Sequence, residues 1–467
     1  MSESLAHQTV SDAIARCNTL RAEATRIQQE QFRSSVPLAI AKLLERIAIA
    51  IDEQIREEWR SYSATKSQAS LRQIYNWDAV VRTAGNHLRY LRGSTADRTP
   101  GTLARALDSL AETLGLEMQI LLREKWRYNY SVQVEALSER YKTQLEASLS
   151  PQRIEQIFGD LGRPVYAVAF PAIERQSILL HAAFGHELGH LVVDRWIRDH
   201  DDKEAETGEA VRKRAAELQS QSKTPLLDRT QLVADQILKP RRRLLEEYAA
   251  DMVGIELFGP AAFLAMTSIA LGQTGKMDQI PSHTDSFYPP WRDRLRLAFE
   301  SLRTAQWYPF PAPPLDVADY ISLTSSRLND AEQIALEPTT TAKWPNYIRI
   351  ANELALEALP RFRVYLLKLL ENYPNRVSLL EQSYQLALRL SLKLRPNDCG
   401  NDPLHPQPPH LASILNGGWL YRIGAVDSKH EIENDYCDKL GSLQKLVLKG
   451  IEDAVLLSDF ENWRSEL

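Results

Sequence analysis

The chain has 467 residues, of which 44% are hydrophobic and 25% are charged, and its formal net charge is −5. This composition is ordinary for a globular protein and argues against wholesale disorder, and the acidic balance gives no electrostatic case for nucleic-acid binding. Three widely spaced cysteines, Cys17, Cys399 and Cys437, form neither a disulfide framework nor a zinc-ligand pair, which suits a reducing cytoplasm.

Neither a leader nor a membrane span is predicted. The first residues are polar, without the basic and apolar blocks of a secretory signal. The most apolar later stretch, 258–272, is shorter than the roughly 20 residues that a spanning helix needs. We therefore expect a cytoplasmic protein, with 258–272 as a buried helix.

The N-terminal region, residues 1–160, has the pattern of successive helices. Apolar residues recur at spacings of three and four in 36–52 and again in 102–123. The aromatic and basic stretch 125–130 is better explained as a helix end packed by its aromatics than as a nucleic-acid surface, because no wider basic stripe accompanies it.

A short β-prone run bounded by prolines follows at 165–170. We expect a strand there, and a helix that opens near Glu174. The strand has two interpretations: an edge that pairs with an extended substrate, or plain packing against the helix.

The next stretch contains His-Glu-x-x-His, as His186, Glu187 and His190. On a helix the two histidines lie on one face, one turn apart, where both imidazoles can bind one Zn²⁺ ion. Glu187 can serve as a general base toward a water molecule. Gly185 and Gly189 allow close packing beside the metal. The alternative is a buried helix with two satisfied core histidines.

The chain then becomes hydrophilic as far as residue 222, which predicts a solvated helical excursion. His200 with its neighbours Asp199, Asp201 and Asp202 is better explained as a solvated turn than as a metal site.

A second helix is predicted from Pro240, in the opening turn, to the stop at Gly259. Glu247 and Asp251 share one face of it. One carboxylate on that face can complete a His-His-Glu zinc site, and Asp251 is placed to accept a hydrogen bond from a ligand histidine. The alternative is an amphipathic helix with a solvated acidic face.

The remaining sequence is again helical. A proline-rich connector at 307–314 precedes helices expected at 347–359, 361–370 and 377–394, with Pro360 opening the second. A further proline-rich loop contains His405, for which metal binding is not favoured. The fold prediction is a mainly α protein: a helical domain at 1–160, a zincin-like core with a small β-sheet at 161–305, and a helical domain at 315–467.

The combination of His186-Glu187-x-x-His190 with Glu247-Tyr-Ala-Ala-Asp251 resembles the gluzincin metallopeptidases, especially the CaaX prenyl protease and heat-shock membrane protease branch. Because this chain has no predicted membrane helices, a minigluzincin-like relative is the fitting analogue. The resemblance implies that His186, His190 and Glu247 bind zinc, that Glu187 is the general base, and that Asp251 supports a ligand histidine without touching the metal.

The resemblance covers about residues 164–300. Glu246 is the rival to Glu247 as a ligand, but it has no aspartate four residues on. The segment around His283 looks like a lengthened version of the family's His-Pro motif with its downstream arginine, although no proline follows His283. His283, Tyr288 and Arg294 are therefore candidates for stabilising the oxyanion of the reaction.

The expected function is zinc-dependent hydrolysis of peptide bonds in a protein or peptide substrate. The helical flanking domains suggest regulation, through a partner protein that the sequence does not name. The alternative is a helical interaction or scaffold protein whose zinc site is structural or vestigial.

Overall fold

A computed structural model describes residues 3–201, 205–220, 230–273, 277, 288–336, 344–397, 408–427 and 435–466. Helices make up 76% of the structure and strands 4%. The prediction of a mainly α protein with a small sheet is therefore confirmed. No helix in this part of the chain is long and apolar enough to cross a bilayer.

The described residues form two compact units. Unit 1 comprises Met1–Asp108 and Glu117–Arg175, and unit 2 comprises Ser109–Leu116 and Gln176–Leu467. The three domains expected from the sequence, 1–160, 161–305 and 315–467, stay a prediction.

Unit 1 is a helical layer with one small sheet. Its helices are α1 (Glu3–Ile27), α2 (Val36–Thr65), α3 (Gln68–Arg92), α4 (Leu103–Thr113, which runs on into unit 2), α5 (Leu137–Glu146) and α6 (Pro151–Phe158). Its strands are β1 (Gln119–Lys125), β2 (Ser131–Val132) and β3 (Val165–Pro171). Helices α1, α2 and α3 pack on one another because each presents a stripe of apolar side chains, such as Ile40, Leu44 and Ile47 of α2, which are buried in the shared core.

The strand predicted at 165–170 is confirmed as β3, but it is the central strand of the sheet, in the order β1-β3-β2. It pairs in parallel with β1 along its whole length, from Gln119↔Val165 to Lys125↔Pro171. It also pairs with β2 at Val168 and Ala169. Because both sides are hydrogen-bonded at these positions, the edge-strand interpretation is wrong there.

The helix expected at 102–123 is also wrong in its second half. Helix α4 ends at Thr113, and Gly115 then adopts φ +65°, a left-handed conformation that ends a helix at little cost for glycine. The apolar residues that follow form β1. The stretch 125–130 is not a packed helix end, since Trp126 lies after β1 and is 88% exposed.

Unit 2 contains ten described helices, and the long helix α9 packs against several of them. They are α7 (Phe184–Trp196), α8 (Ala205–Ser220), α9 (Thr230–Phe258), α10 (Pro260–Leu271), α11 (Trp291–Thr304), α12 (Ala318–Leu336), α13 (Asn346–Leu369), α14 (Arg376–Ser391), α15 (Leu411–Tyr421) and α16 (Tyr436–Glu466). Helix α9 packs against α7, α8, α11 and α13, and α10 is the buried helix expected near 258–272. The long helix α9 therefore lies between α7 and α11, the two helices whose side chains meet its acidic face.

Three helix boundaries differ from the predictions. Helix α7 begins at Phe184, not near Glu174, because short 3₁₀ turns at Ala172–Glu174 and Ile178–Ala183 precede it. Pro240 and Pro360 lie inside α9 and α13 rather than at helix starts. A proline removes only one N–H donor, so helix-forming neighbours and packing on both sides can carry the helix through it.

The hydrophilic turn near His200 is not simply solvated. Asp201 is fully buried, and its two carboxylate oxygens accept hydrogen bonds from Arg241 at 2.6 and 2.9 Å. Arg361 adds a third contact at 3.2 Å. The solvated-turn prediction is wrong for Asp201, because arginines from α9 and α13 compensate the charge in the interior.

Candidate metal centre

The two histidines of the motif lie side by side on α7. His186 and His190 are one turn apart, and their ring centroids are separated by 4.6 Å. The helical spacing places both imidazoles on one face of α7, and α7 packs against α9.

Glycines allow α7 and α9 to approach closely at this level. A Cβ atom added to Gly189 would lie 2.8 Å from both the Cα and the carbonyl oxygen of Ala250, and one added to Gly185 would lie 2.9 Å from the Cα of Gly254. No ordinary side chain fits in these gaps. The predicted role of the two glycines in close packing is confirmed, and the contact brings the histidines up to the acidic face of α9.

Glu247 of α9 lies opposite both histidines. Its Oε2 is 3.7 Å from Nε2 of His186, and its Oε1 is 3.9 Å from Nε2 of His190. One ligand atom from each residue lies within 4.8 Å of the others. These separations are too long for hydrogen bonds, yet close to the roughly 3.3–3.5 Å between ligand atoms around a tetrahedral zinc ion with bonds of about 2.0–2.2 Å.

A second observation also indicates that Glu247 and the two histidines fit a metal ion. Oε1 of Glu247 is buried and makes no hydrogen bond, although Nη2 of Arg243 lies 2.8 Å away in an ion pair of poor hydrogen-bond geometry. A buried carboxylate oxygen without a hydrogen bond is costly. A cation between Glu247 and the histidines would remove that cost, so these residues suit a divalent metal ion.

The rival carboxylate, Glu246, is engaged elsewhere. It accepts hydrogen bonds from Arg242 and Arg243, at 3.1 Å each. Adjacent residues on a helix point about 100° apart, so only one of the two glutamates can face α7. The structure places Glu247 there.

Asp251 contacts a histidine on the side away from the ligand atoms. Nδ1 of His186 donates to Oδ1 of Asp251 at 2.7 Å, which leaves Nε2 facing Glu247. Arg294 of α11 holds the same carboxylate through Nε at 2.8 Å and Nη2 at 2.6 Å, and its Nη1 lies 3.1 Å from Oε2 of Glu247. One buried guanidinium therefore fixes the orientation of both acidic side chains.

The charges of the group follow from this arrangement. Burial acts to raise the pKa of Asp251, but Arg294 and His186 outweigh it and lower that pKa to about 2. Burial also acts to raise the pKa of Glu247, and Arg294 with the histidines lowers it. Burial, assisted by the neighbouring His186, lowers the pKa of His190 to about 3. At neutral pH the site thus offers two carboxylates and a neutral imidazole with a free lone pair, as metal ligation requires.

His186 behaves differently from its neighbour. Burial acts to lower its pKa, yet Asp251 outweighs burial and raises it. A carboxylate that accepts from Nδ1–H in this way makes Nε2 a more basic ligand.

The other residues singled out in the sequence lie in different places. Glu187 is buried on α7, close enough that its charge raises the pKa of His186 and of Arg294. Tyr288 is 52% exposed, and its ring covers the guanidinium of Arg243 at 4.4 Å. His283 lies outside the described residues.

Sequence reasoning did not identify Arg243, which touches the carboxylate of Glu247. A signal was present, because the two residues are four apart on one helix, a spacing typical of ion pairs. The arginine stood in a run of three, Arg241 to Arg243, and the sequence does not distinguish their directions.

Comparisons of the chain with protein-family models, with curated protein sequences and with solved structures found no match. The residues and geometry of the site are therefore the basis for any function assigned to the chain.

Proposed function

We propose that this protein is a zinc-dependent metallopeptidase with a gluzincin-like site. The observation that carries the proposal is the grouping of His186 and His190 of one helix with Glu247 of another, their ligand atoms within 4.8 Å. Three protein ligands, which leave one position open, are typical of catalytic rather than structural zinc sites. The zincin-like core and the likeness to gluzincins are part of this proposal.

In the proposed site His186, His190 and Glu247 hold the zinc ion. Bound there, zinc would supply Lewis-acid activation of the scissile carbonyl group and of the attacking water. Asp251 keeps the Nδ1–H tautomer of His186, so that Nε2 carries the lone pair. Arg294 holds the carboxylates of Asp251 and Glu247 in fixed orientations.

Glu187 is the proposed general base. It follows His186 directly, it is buried, and it does not belong to the three-residue ligand group. Its carboxylate takes a proton from the attacking water and passes it to the leaving amine, a contribution of at least about a hundredfold in rate. Arg294, Tyr288 and His283 remain candidates for stabilising negative charge on the substrate.

The test compares the wild type with Glu187→Gln, which keeps the volume and polarity of the side chain but cannot accept the proton. Zinc content is measured by elemental analysis, hydrolysis with a peptide library, and stability by thermal unfolding. We expect one zinc ion per chain in both proteins, similar stability, and hydrolysis at least about a hundredfold slower in the variant.

Glu246→Gln is the matched control, since it removes one carboxylate next to the ligand group without touching the histidines. It should hydrolyse peptides like the wild type. Zinc-loaded wild type that cleaves nothing in the library, or Glu187→Gln at full activity, would contradict the proposal.

A further inference from the structure

The candidate site contains two arginines in different situations. The side chain of Arg294 is 8% exposed, and each of its three guanidinium nitrogens lies against Asp251 or Glu247. Arg294 is thus already paired with two carboxylates of the protein. The side chain of Arg243 is 33% exposed, although its Nη2 is only 2.8 Å from Glu247, which is buried. Arg243 therefore connects the ligand group with solvent.

Arg243 contacts two carboxylates of the protein, and a cation bound at the site would weaken one of these contacts. Its Nη2 pairs with Oε1 of Glu247, the oxygen that faces His190, without making a hydrogen bond. A cation held by Glu247 would share the charge of that carboxylate and lower its attraction for the guanidinium. The second contact is a 3.1 Å hydrogen bond from Nη1 to Glu246, and it lies nearer to solvent than the contact with the buried Glu247.

Tyr288 covers this guanidinium. Its half-exposed ring lies over Arg243, with 4.4 Å between the ring centroid and Cζ. A cation–π contact of this kind uses the ring and not the N–H groups, and a guanidinium can bind a carboxylate through two parallel N–H···O bonds.

We propose that Arg243 and Tyr288 form a carboxylate-binding subsite that selects the substrate of the proposed peptidase. The inference rests on the proposed function, because the subsite would select substrates for that reaction. Binding of a carboxylate at the subsite can nevertheless be measured without hydrolysis. The carboxylate is either the C-terminus of the substrate or an Asp or Glu side chain, and both have the same chemistry for Arg243.

The geometry limits where that carboxylate lies along the substrate. Arg243 is in direct contact with the ligand carboxylate Glu247, so the subsite and the reacting bond are neighbours. One residue of an extended chain spans about 3.3–3.6 Å. The recognised carboxylate therefore belongs to the residue on one side of the scissile bond, or to the next one.

The experiment uses the zinc-loaded full chain carrying Glu187→Gln, so that peptides bind without being cleaved. The probes are pools of N-acetylated pentapeptides of mixed sequence, ending either in a free carboxylate or in a carboxamide. Two further carboxamide pools carry a fixed Asp or a fixed Asn at each position in turn, which distinguishes a side-chain carboxylate from a C-terminus.

We expect one carboxylate pool to bind about tenfold or more tightly than its neutral counterpart, the usual value of a charge-assisted pair that is partly exposed. Adding Arg243→Gln should abolish that preference, and Arg243→Lys, which keeps the charge but not the planar fork, should retain only part of it. Arg242→Gln is the control: that arginine pairs with Asp194 and Glu246, and its loss should leave the preference intact.

Zinc content and helical circular dichroism are recorded for every variant. If Arg243→Gln loses zinc or helical structure, the partial loss of preference expected for Arg243→Lys becomes the test. Equal binding of charged and neutral pools, no binding of any pool, or a preference that survives the loss of Arg243 would overturn the subsite. Failure of the proposed function looks different: the carboxylate preference would be present while the wild type cleaves nothing. If the wild type hydrolyses peptides but no carboxylate preference is found, only the subsite is refuted and the proposed function stands.

Discussion

The contact between α7 and α9 gives the sharpest prediction, for Gly189→Ala. The new Cβ would lie 2.8 Å from the Cα and the carbonyl oxygen of Ala250, whereas ordinary contact begins near 3.4 Å. Both opposing atoms are backbone and cannot turn aside. The two helices must therefore separate by about 0.6 Å, the difference between these two distances, or tilt.

Overpacking of this kind costs about 1–3 kcal/mol, and the backbone partners place Gly189→Ala at the upper end. The better helix propensity of alanine returns about 1 kcal/mol, so we expect a net loss of about 2 kcal/mol in the free energy of unfolding. The same separation moves the histidines away from Glu247. Because metal sites tolerate only about ±0.2 Å in bond length, zinc affinity should fall at least about tenfold.

The assay is urea unfolding followed by circular dichroism, together with zinc titration against a competing chelator. The matched control is Gly441→Ala in α16, where an added Cβ meets nothing within 4 Å. That substitution should raise stability by up to about 1 kcal/mol and leave zinc binding unchanged. If Gly189→Ala matched this control in both measurements, the proposed helix contact would not be what positions the ligands.

Three further predictions concern individual side chains. Asp251→Asn should weaken zinc binding about ten- to a hundredfold in the chelator competition, because the charge that fixes His186 is lost; unchanged affinity would contradict that role. Glu247→Ala should abolish zinc binding while Glu246→Ala keeps it, as measured by elemental analysis, and the reverse pattern would exchange the two assignments. Burial lowers the pKa of His87, which is hydrogen-bonded to Tyr141, to about 4, below its unfolded value of about 6.5. The unfolded chain then binds more protons between these values, so acidification from pH 6.5 to 4 should cost up to about 3 kcal/mol of stability, and urea titrations of His87→Gln should lack that part of the pH dependence.

Much of the local structure follows from the sequence. Helical periodicity is a property of neighbouring residues, so the apolar stripe of 36–52 predicts a helix that the structure contains, and the continuous apolar run 258–272 contains the expected buried helix. The spacing of His186 and His190 likewise places them on one face, whatever surrounds the helix. The β-prone run at 165–170 is a strand for the same local reason.

Where local signals compete, tertiary structure decided the outcome. Pro240 is a helix breaker by itself, but it lies within α9 because packing on both sides outweighs one lost hydrogen bond. The apolar residues after Gly115 fit a helix or a strand, and pairing with β3 made them β1. Strand order also depended on distant partners, which no periodicity within 165–170 contains.

The candidate site divides in the same way. The sequence determined the residue types and two short spacings, the four residues from His186 to His190 and the four from Glu247 to Asp251. Only the packing of α7 against α9 decided that Glu247 rather than Glu246 faces the histidines, and that Arg294 joins Asp251 across 43 positions of sequence. Helical spacing acts over a single turn, whereas the meeting of two helices depends on which side chains permit their closest approach.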